Sequence, residues 1–155
     1  MEKIRTLIAD DQKELMNYLV SILKNKEEIE IIGSAENGQE EFDKIIELEP
    51  DIVFTDNQMP KLNGLDVIDL VRKSNIKKQP EFVLITGDRD YAIINRAYSL
   101  NVLGVVNKPY TEDKIFQIID DYIFSKDNNN GKIENINNKV ENKSFLSKIL
   151  NKLKK

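Results

Sequence analysis

Short apolar runs alternate along the chain with longer stretches in which apolar residues recur every three or four positions. The runs are rich in Ile and Val and have strand length; they cover residues 4–9, 29–35, 52–55, 82–86 and 102–106. The amphipathic stretches predict helices at 13–25, 39–49, 65–74, 90–100 and 111–124. In the first, Leu15, Leu19 and Ile22 fall on one helical face. The pattern predicts five strands and five helices in strict alternation.

This alternation predicts an α/β fold. Each return to a parallel strand needs a crossover, which a helix supplies, and right-handed crossovers place helices on both faces of the sheet. The runs "DIVFT" and "FVLIT" are almost continuously apolar, as strands buried on both faces are. We therefore predict a doubly wound, five-stranded parallel sheet with five flanking helices. Ligands of such sheets bind beyond the carboxyl ends of the strands.

Composition narrows the possible chemistry. The 155 residues, 40% hydrophobic and 32% charged, suit one ordinary globular domain with a modest extension. No apolar window is long enough for a membrane span, and the start "MEKIRTLIAD" is too weakly apolar for a signal peptide, so we expect a cytoplasmic protein. Cysteine and histidine are absent, which excludes thiolate sites, imidazole ligands and Ser-His catalysis. The chemistry must use carboxylates, hydroxyls and lysine.

The net charge of −4 is unevenly distributed. Residues 1–126 hold 16 basic and 24 acidic side chains, whereas residues 127–155 hold 7 basic and 3 acidic ones. Binding to a nucleic acid backbone depends on a basic surface that neutralises phosphates. The acidic body therefore argues against direct nucleic acid binding.

Polar side chains follow four of the predicted strands where each strand ends. Asp10 and Asp11 follow the first, Asp56 the third, Thr86 ends the fourth, and Lys108 follows the fifth. These ends share one edge of a parallel sheet, and converging carboxylates repel one another unless a proton or a cation intervenes. Mg²⁺ prefers oxygen ligands, often carboxylates together with phosphate. An aspartate can accept a phosphoryl group as an acyl phosphate, and lysine and threonine suit its oxygens. This edge predicts Mg²⁺-dependent phosphoryl chemistry on Asp56.

Each of these residues also has a simpler interpretation. Asp10 or Asp11 could cap the first helix, and Asp56 could cap or form part of a turn. Thr86 could be only the last β-branched residue of a strand, and Lys108 only a solvated loop charge. Taken singly, most of these alternatives are better than the functional interpretation; the combination at one edge favours the site.

Four motifs carry a resemblance to a known family. "ADD" at 9–11, "TDNQMPKLNG" at 55–64, "ITG" at 85–87 and "NKPY" at 107–110 resemble the receiver domain of two-component response regulators. The resemblance covers residues 3 to 125, with the motifs in the correct order at strand ends. The resemblance is to receivers of the stand-alone type, such as those of chemotaxis and of sporulation phosphorelays. It implies a flavodoxin-like fold with strand order 2-1-3-4-5.

The resemblance also implies roles for the acidic residues. Asp56 corresponds to the phosphoacceptor, which receives its phosphoryl group from a sensor histidine kinase or a phosphotransfer protein. Asp10 and Asp11 correspond to the pair that holds Mg²⁺, with Asp11 the better candidate for a direct ligand. Asp56 and the backbone carbonyl of Gln58 complete the implied metal site.

Thr86 and Lys108 correspond to the hydroxyl and the ammonium that bind the phosphoryl group. Gly87 leaves room for that group, and the resemblance implies a cis Lys108–Pro109 bond. One position departs from the family pattern: Val105 stands where many receivers carry an aromatic switch residue. A valine has no polar tip and little reach, so the usual path from threonine to surface is in doubt. The nearby tyrosines that could replace the aromatic residue are Tyr91, Tyr98 and Tyr110.

We divide the chain into a receiver domain at 1–125, an Asn-rich flexible linker at 126–143 and a short basic amphipathic segment at 144–155. In the last segment, apolar residues recur at spacings of one and three, with Lys148, Lys152, Lys154 and Lys155 on the remainder. A helix this short is marginal in water and needs a surface. That surface could be the acidic body, a partner protein or an anionic membrane; the alternative is a disordered tail.

The residues leave several functional classes open. The leading one is a single-domain response regulator, phosphorylated on Asp56 with Mg²⁺, that binds an unknown downstream protein target or passes the phosphoryl group on. The second is a phosphorylation-independent interaction module with the same fold. A phosphohydrolase would need a general acid two positions after Asp56, where Gln58 stands. We expect self-phosphorylation from a donor and slow self-dephosphorylation, but not a conventional enzyme, and expect Gln58 and Asp88 to flank the path of the hydrolytic water.

Overall fold

The computed structural model describes residues 2–131 and Lys152. The chain forms two compact units, Met1–Ile118 and Ile119–Lys155. The first unit contains every strand, four helices and the start of the fifth; the second is described for the rest of that helix and Lys152. Of the predicted linker 126–143, residues 132–143 lie outside the described residues, and so does the predicted segment 144–155 except Lys152. No helix among the described residues combines the length and the apolar character that crossing a membrane demands.

Five strands and five helices alternate along the chain, as predicted. The strands are β1 (Ile4–Ala9), β2 (Ile29–Ala35), β3 (Ile52–Asp56), β4 (Glu81–Thr86) and β5 (Gly104–Asn107). The helices are α1 (Lys13–Lys24), α2 (Gly38–Leu48), α3 (Gly64–Lys73), α4 (Tyr91–Ser99) and α5 (Glu112–Gly131). The largest difference in a strand concerns β5, predicted to begin at Val102. The Val102 and Leu103 amides instead donate to the carbonyls of Ala97 and Phe82.

The sheet is parallel throughout, with strand order β2-β1-β3-β4-β5. This order confirms the predicted doubly wound, flavodoxin-like fold. The chain first moves from β1 to β2 and then reverses across β1 to β3, so the direction changes between β1 and β3. In open sheets of this kind, a crevice forms beyond the carboxyl ends of the two strands at the reversal.

Helices α2, α3 and α4 cover one face of the sheet. Alternate strand residues Leu7, Val53, Phe82 and Leu84 join the same buried cluster as apolar side chains of these helices. Residues between them in sequence, such as Ile8 and Phe54, are also fully buried and point to the opposite face, because strand side chains alternate. Burial on both faces explains why the strands are almost continuously apolar.

Helix starts follow from local capping. The side chain of Asn37 accepts a hydrogen bond from the Glu40 amide, and that of Asn63 from the Asp66 amide. Asp90 accepts from the Ala92 amide at the start of α4. Each cap satisfies an amide that the first helical turn leaves free. Asn37 and Asn63 thus determine where α2 and α3 begin.

Helix α5 is longer than predicted. It continues to Gly131, whereas the sequence predicted a helix ending at 124 and a linker beginning at 126. Within this part, the Ser125 hydroxyl donates to the Tyr122 carbonyl at 2.8 Å, and the Lys126 ammonium lies 5.4 Å from the centre of the Tyr122 ring. Asparagine disfavours a helix by less than about 1 kcal/mol per residue. The helix can therefore continue through polar residues beyond the last apolar repeat.

At the amino ends of β4 and β5, Arg72 joins several loops. Its guanidinium donates to the carbonyls of Pro80 and Leu100 at 2.9 Å and to that of Asn101 at 3.3 Å. It also lies 5.1 Å from the centre of the Phe82 ring. A planar guanidinium can reach all these acceptors at once, which an ammonium cannot.

We predict that Arg72→Lys destabilises the protein by about 2 kcal/mol, because the ammonium replaces only part of this hydrogen-bonding fork. The neighbouring Lys73 makes an exposed ion pair with Asp69 at 3.1 Å, so Lys73→Ala is the matched control and changes stability by less than about 0.5 kcal/mol. Urea denaturation measures both. Equal effects of the two substitutions would contradict the structural role of Arg72.

Gly38, the first residue of α2, lies against the loop after β3. A Cβ at this position would lie 2.2 Å from the carbonyl oxygen of Leu62. A Cβ at Gly87 would meet nothing within 4 Å. The beginning of α2 and the loop are therefore in close backbone contact.

We expect Gly38→Ala to destabilise the protein by about 1–3 kcal/mol, because the clash with backbone outweighs the better helix propensity of alanine. Gly87→Ala serves as control and stays within about 0.5 kcal/mol of wild type. The measurement is the midpoint of urea unfolding. An unchanged midpoint for Gly38→Ala would show that the loop can move away from α2 freely.

Candidate functional site

Three carboxylates meet where the strand order reverses. Asp10 directly follows β1 and Asp56 ends β3, and these strands are neighbours through the pair Ala9 and Thr55. Asp10, Asp11 and Asp56 each offer an oxygen, and the three oxygens lie within 4.8 Å of one another. Asp10 and Asp56 are buried, whereas Asp11 is exposed. The structure thus brings together the three aspartates that the sequence singled out, at a spacing that one cation could span.

Lys108 is the cationic partner of this cluster. Its ammonium donates to Asp56 Oδ2 at 2.7 Å, with 22% of the Lys108 side chain and 5% of the Asp56 side chain exposed. The Lys108 amide donates to the Thr86 carbonyl at 2.9 Å, which fixes the residue just beyond the pairing of β4 and β5. The Lys108–Pro109 bond is cis, as the resemblance implies.

Backbone amides orient the two buried carboxylates. The Gln58 amide donates to Asp56 Oδ1 at 3.1 Å, and the Gln12 amide donates to Asp10 Oδ1 at 2.9 Å. The cap residue of α1 is Gln12, and no side chain makes a capping bond there. The acidic pair therefore does not cap α1. Gln58 lies beside the cluster through its amide, while the predicted role of its carbonyl stays a prediction.

The cluster carries an excess of negative charge. Burial raises the pKa of Asp10 above its usual value, and the charges of Asp56 and Asp11 raise it further. The Gln12 amide and the Lys108 ammonium act in the opposite direction and lower this pKa. One ammonium faces three carboxylates, so a further cation would relieve the repulsion among them. The residues present fit a hard divalent ion that prefers oxygen ligands.

Thr86 ends β4 and is fully buried, but its hydroxyl is not bonded to the carboxylate cluster. Thr86 Oγ1 accepts a hydrogen bond from the Asp88 amide at 3.0 Å. Asp88 itself is exposed, and Gly87 between them leaves open space. Val105, at the position where the resemblance leads us to expect an aromatic residue, is partly buried and packs against the core cluster under α2, α3 and α4.

Tyr110, one of the tyrosines that could replace the aromatic switch residue, was not predicted as a catalytic or metal-binding residue. Its ring lies beside Tyr18 of α1, with centroids 5.5 Å apart, and the Tyr18 hydroxyl donates to the Tyr110 carbonyl at 3.1 Å. Burial raises the pKa of Tyr110 to about 12, and the charges of Asp10, Tyr18 and Asp56 contribute in the same direction. This phenol therefore stays neutral and borders the acidic cluster.

Glu41 and Asn57 were also missed by the sequence analysis. Glu41 is completely buried in α2, and its Oε2 accepts a hydrogen bond from the Thr55 hydroxyl at 3.0 Å. The side chain of Asn57, which directly follows Asp56, accepts a hydrogen bond from the Leu65 amide of α3 at 3.2 Å. The helical spacing of Gly38, Glu41 and Ile45, all buried, could have indicated that Glu41 faces inward.

An open depression lies beside the cluster. Its volume is about 380 Å³, and it is lined by Asp11, Asn57, Gln58, Met59, Pro60 and Asn63. Most of this lining comes from the loop between β3 and α3. A group that approaches the carboxylates from solvent can therefore reach them through this side.

Comparison with known proteins agrees with this geometry. The family model of the response regulator receiver domain matches residues 6–120. The transcriptional regulatory protein LnrK of Bacillus subtilis is 35% identical over 116 residues, which are 75% of this chain and 52% of LnrK. The sensory transduction protein LytT of Bacillus cereus is 29% identical over 119 residues, which are 77% of this chain and 47% of LytT.

Among solved structures, the signal receiver domain of the response regulator NarL from Mycobacterium tuberculosis matches with a TM-score of 0.72 and 25% identity. The match covers 78% of this chain and 96% of that domain. The chain spans about half the length of the curated relatives it matches, 52% of LnrK and 47% of LytT. The family model, the strand order and the acidic edge agree: the chain belongs to the response regulator receiver family of two-component systems.

Proposed function

We propose that this chain is a phosphoryl-accepting receiver that carries its phosphoryl group on Asp56 and uses Mg²⁺. The observation that carries the proposal is the position of Asp56, buried at the end of β3, 2.7 Å from the Lys108 ammonium and within 4.8 Å of Asp10 and Asp11. A carboxylate so placed has the lysine that a phosphoryl group needs and neighbours that suit a cation.

In this proposal Asp10, Asp11 and Asp56 hold the Mg²⁺ ion, together with the carbonyl of Gln58. The carboxylates supply the hard oxygen ligands that Mg²⁺ prefers, and the exposed Asp11 leaves room for the waters that such an ion keeps. When bound, the ion would neutralise the negative charge that a phosphoryl group adds to this acidic edge of the sheet.

The chain's own residues perform the transfer. An Asp56 carboxylate oxygen attacks the phosphorus of the donor, the new O–P bond forms, and the bond between phosphorus and the donor's leaving atom breaks. The Gln58 amide holds the other carboxylate oxygen at 3.1 Å and so orients the attack. Lys108 then moves its ammonium from the carboxylate to a phosphoryl oxygen. The Thr86 hydroxyl gives up the hydrogen bond from the Asp88 amide and donates a hydrogen bond to a second phosphoryl oxygen.

Receiver domains interact with histidine kinases or phosphotransfer proteins, and we propose such a protein as the phosphoryl donor here. The phosphorylated chain, in turn, binds a downstream protein or passes the group on.

Val105 supports a readout that differs from the aromatic switch, because its side chain packs in the core and has no polar group. The segment 144–155 remains our candidate for contact with an anionic membrane surface, through its lysines and apolar positions.

Acetyl phosphate with Mg²⁺ tests the phosphoacceptor. We expect wild type to gain one phosphoryl group and Asp56→Asn to gain none, because the amide lacks the nucleophilic oxygen. Asp43→Asn, at an exposed position of α2, is the control and should react like wild type. Intact mass spectrometry gives the result. Equal labelling of Asp56→Asn and wild type would reject the proposal.

The lifetime of the acyl phosphate tests the predicted role of the flanking residues. Gln58→Ala and Asp88→Ala should shorten the lifetime several-fold, up to about tenfold for a barrier change of about 1.4 kcal/mol, since smaller side chains open the path for water. Lys77→Ala, exposed and outside the site, is the control. The decay of the phosphorylated mass after removal of the donor is measured. Unchanged lifetimes in both variants would reject this role.

A further inference from the structure

Glu41 is a buried acid for which the proposed chemistry has no use. Its side chain is 0% exposed, and among the described residues its Oε1 has no hydrogen-bond partner. Within the described part of the chain, its side chain has one hydrogen bond, which Oε2 accepts from the Thr55 hydroxyl at 3.0 Å. An ionised carboxylate sealed from water with one hydrogen bond is strongly unfavourable, so the acid is held in its neutral form.

The partner of Glu41 lies next to the phosphoacceptor candidate. Thr55 directly precedes Asp56, and its Oγ1 lies 3.3 Å from the Asp56 carbonyl oxygen. The same hydroxyl packs against Gly64, where a Cβ would lie 3.1 Å from it and 2.7 Å from the Asp56 carbonyl oxygen. The Glu41 carboxyl, the Thr55 hydroxyl and the end of β3 therefore form one tightly packed layer.

The loop 57–63 contacts the start of α2 and also orients Asp56. The Gly38 amide of α2 donates to the Pro60 carbonyl at 3.3 Å, and a Cβ at Gly38 would lie 2.2 Å from the Leu62 carbonyl oxygen. The same loop carries Gln58, whose amide holds Asp56 Oδ1. Because Glu41 is fully buried, water can reach it only if the structure around α2 opens, and the loop 57–63 contacts α2 at Gly38.

We propose that Glu41, in its neutral form, is a positioning residue for the site: through Thr55 and the loop 57–63 it holds Asp56 and the Gln58 amide in the geometry that accepts a phosphoryl group. This inference rests on the proposed function. Loss of the proton from Glu41 places a charge behind β3 and loosens the loop, which lowers the fraction of molecules ready to react.

Burial raises the pKa of Glu41 to about 8, and the hydrogen bond from Thr55 acts weakly in the opposite direction. Helix α2 packs against α3, β2 and β1. On α2 itself, Glu40 and Lys44 pair at 2.8 Å at partly exposed positions. Charged groups on the surrounding elements are Arg5 on β1, Glu30 on β2, Asp56 on β3, and Asp66, Asp69, Arg72 and Lys73 on α3.

A raised pKa means that the folded chain binds an extra proton between the ordinary value of 4.5 and about 8. The contribution of the neutral acid to stability is therefore full below pH 4.5 and is lost progressively as the pH rises to about 8. Glu41→Gln keeps the shape and the acceptor for Thr55 but cannot ionise. The difference between the urea midpoint of the variant and that of wild type should therefore increase in favour of the variant as the pH rises through this range.

The decisive experiment is the initial rate of phosphorylation by acetyl phosphate with Mg²⁺ between pH 7 and pH 9, for wild type and Glu41→Gln. At pH 9 about one-tenth of wild-type molecules keep the proton on a group of pKa about 8, so the rate ratio of Glu41→Gln to wild type should rise from about 1 to about 10. The ratio cancels effects of pH on the donor and on the parts of the site that the two proteins share. The Gln58 amide resonance should shift near pH 8 in wild type alone.

A second pair of variants keeps the test independent of the folding of Glu41→Gln. At pH 7, Thr55→Ser retains the hydroxyl and should react like wild type, whereas Thr55→Val leaves the buried acid unpaired and should react several-fold more slowly. Identical pH profiles of wild type and Glu41→Gln, or equal rates of the two Thr55 variants, would overturn the inference while leaving the proposed function intact. No phosphorylation of wild type at pH 7 would overturn both.

Discussion

The concentration of negative charge at one edge of the sheet is the constraint on which the rest of the structure depends. The fold places Asp10 and Asp56 side by side because β1 and β3 pair in parallel, and it buries both. Two buried carboxylates need compensation, which comes from the Lys108 ammonium and from one backbone amide for each carboxylate. The remaining excess charge favours a cation. The strand order and the turns after β1 and β3 keep these groups together.

Much of this arrangement could be predicted from the sequence. Strands buried on both faces have a continuous apolar pattern, and a parallel sheet brings the following polar residues to a shared edge. Asp10, Asp11, Asp56 and Lys108 were found in this way, without any knowledge of distances. The same argument placed Thr86 at the edge but could not show that its hydroxyl bonds to the Asp88 amide, because that bond depends on the shape of a turn.

Other features could not be predicted, for identifiable reasons. Glutamate is almost never fully buried, so residue type alone places Glu41 on the surface, and only its register with Gly38 and Ile45 suggests otherwise. Helix α5 continues beyond its apolar periodicity because backbone bonding tolerates polar side chains on a helix already begun. The start of β5 shifted because the Val102 amide bonds back to the end of α4. In each case a local hydrogen bond decides what the pattern leaves open.

The two ends of the sheet are held by different physical means. At the amino ends of β4 and β5, one guanidinium is shared among the carbonyls of Pro80, Leu100 and Asn101 and lies against the Phe82 ring, so that end consists of satisfied groups in fixed geometry. At the carboxyl ends, like charges face one another and the balance depends on what binds there. An added cation or a new phosphate should therefore act at the carboxyl ends, where the excess charge lies.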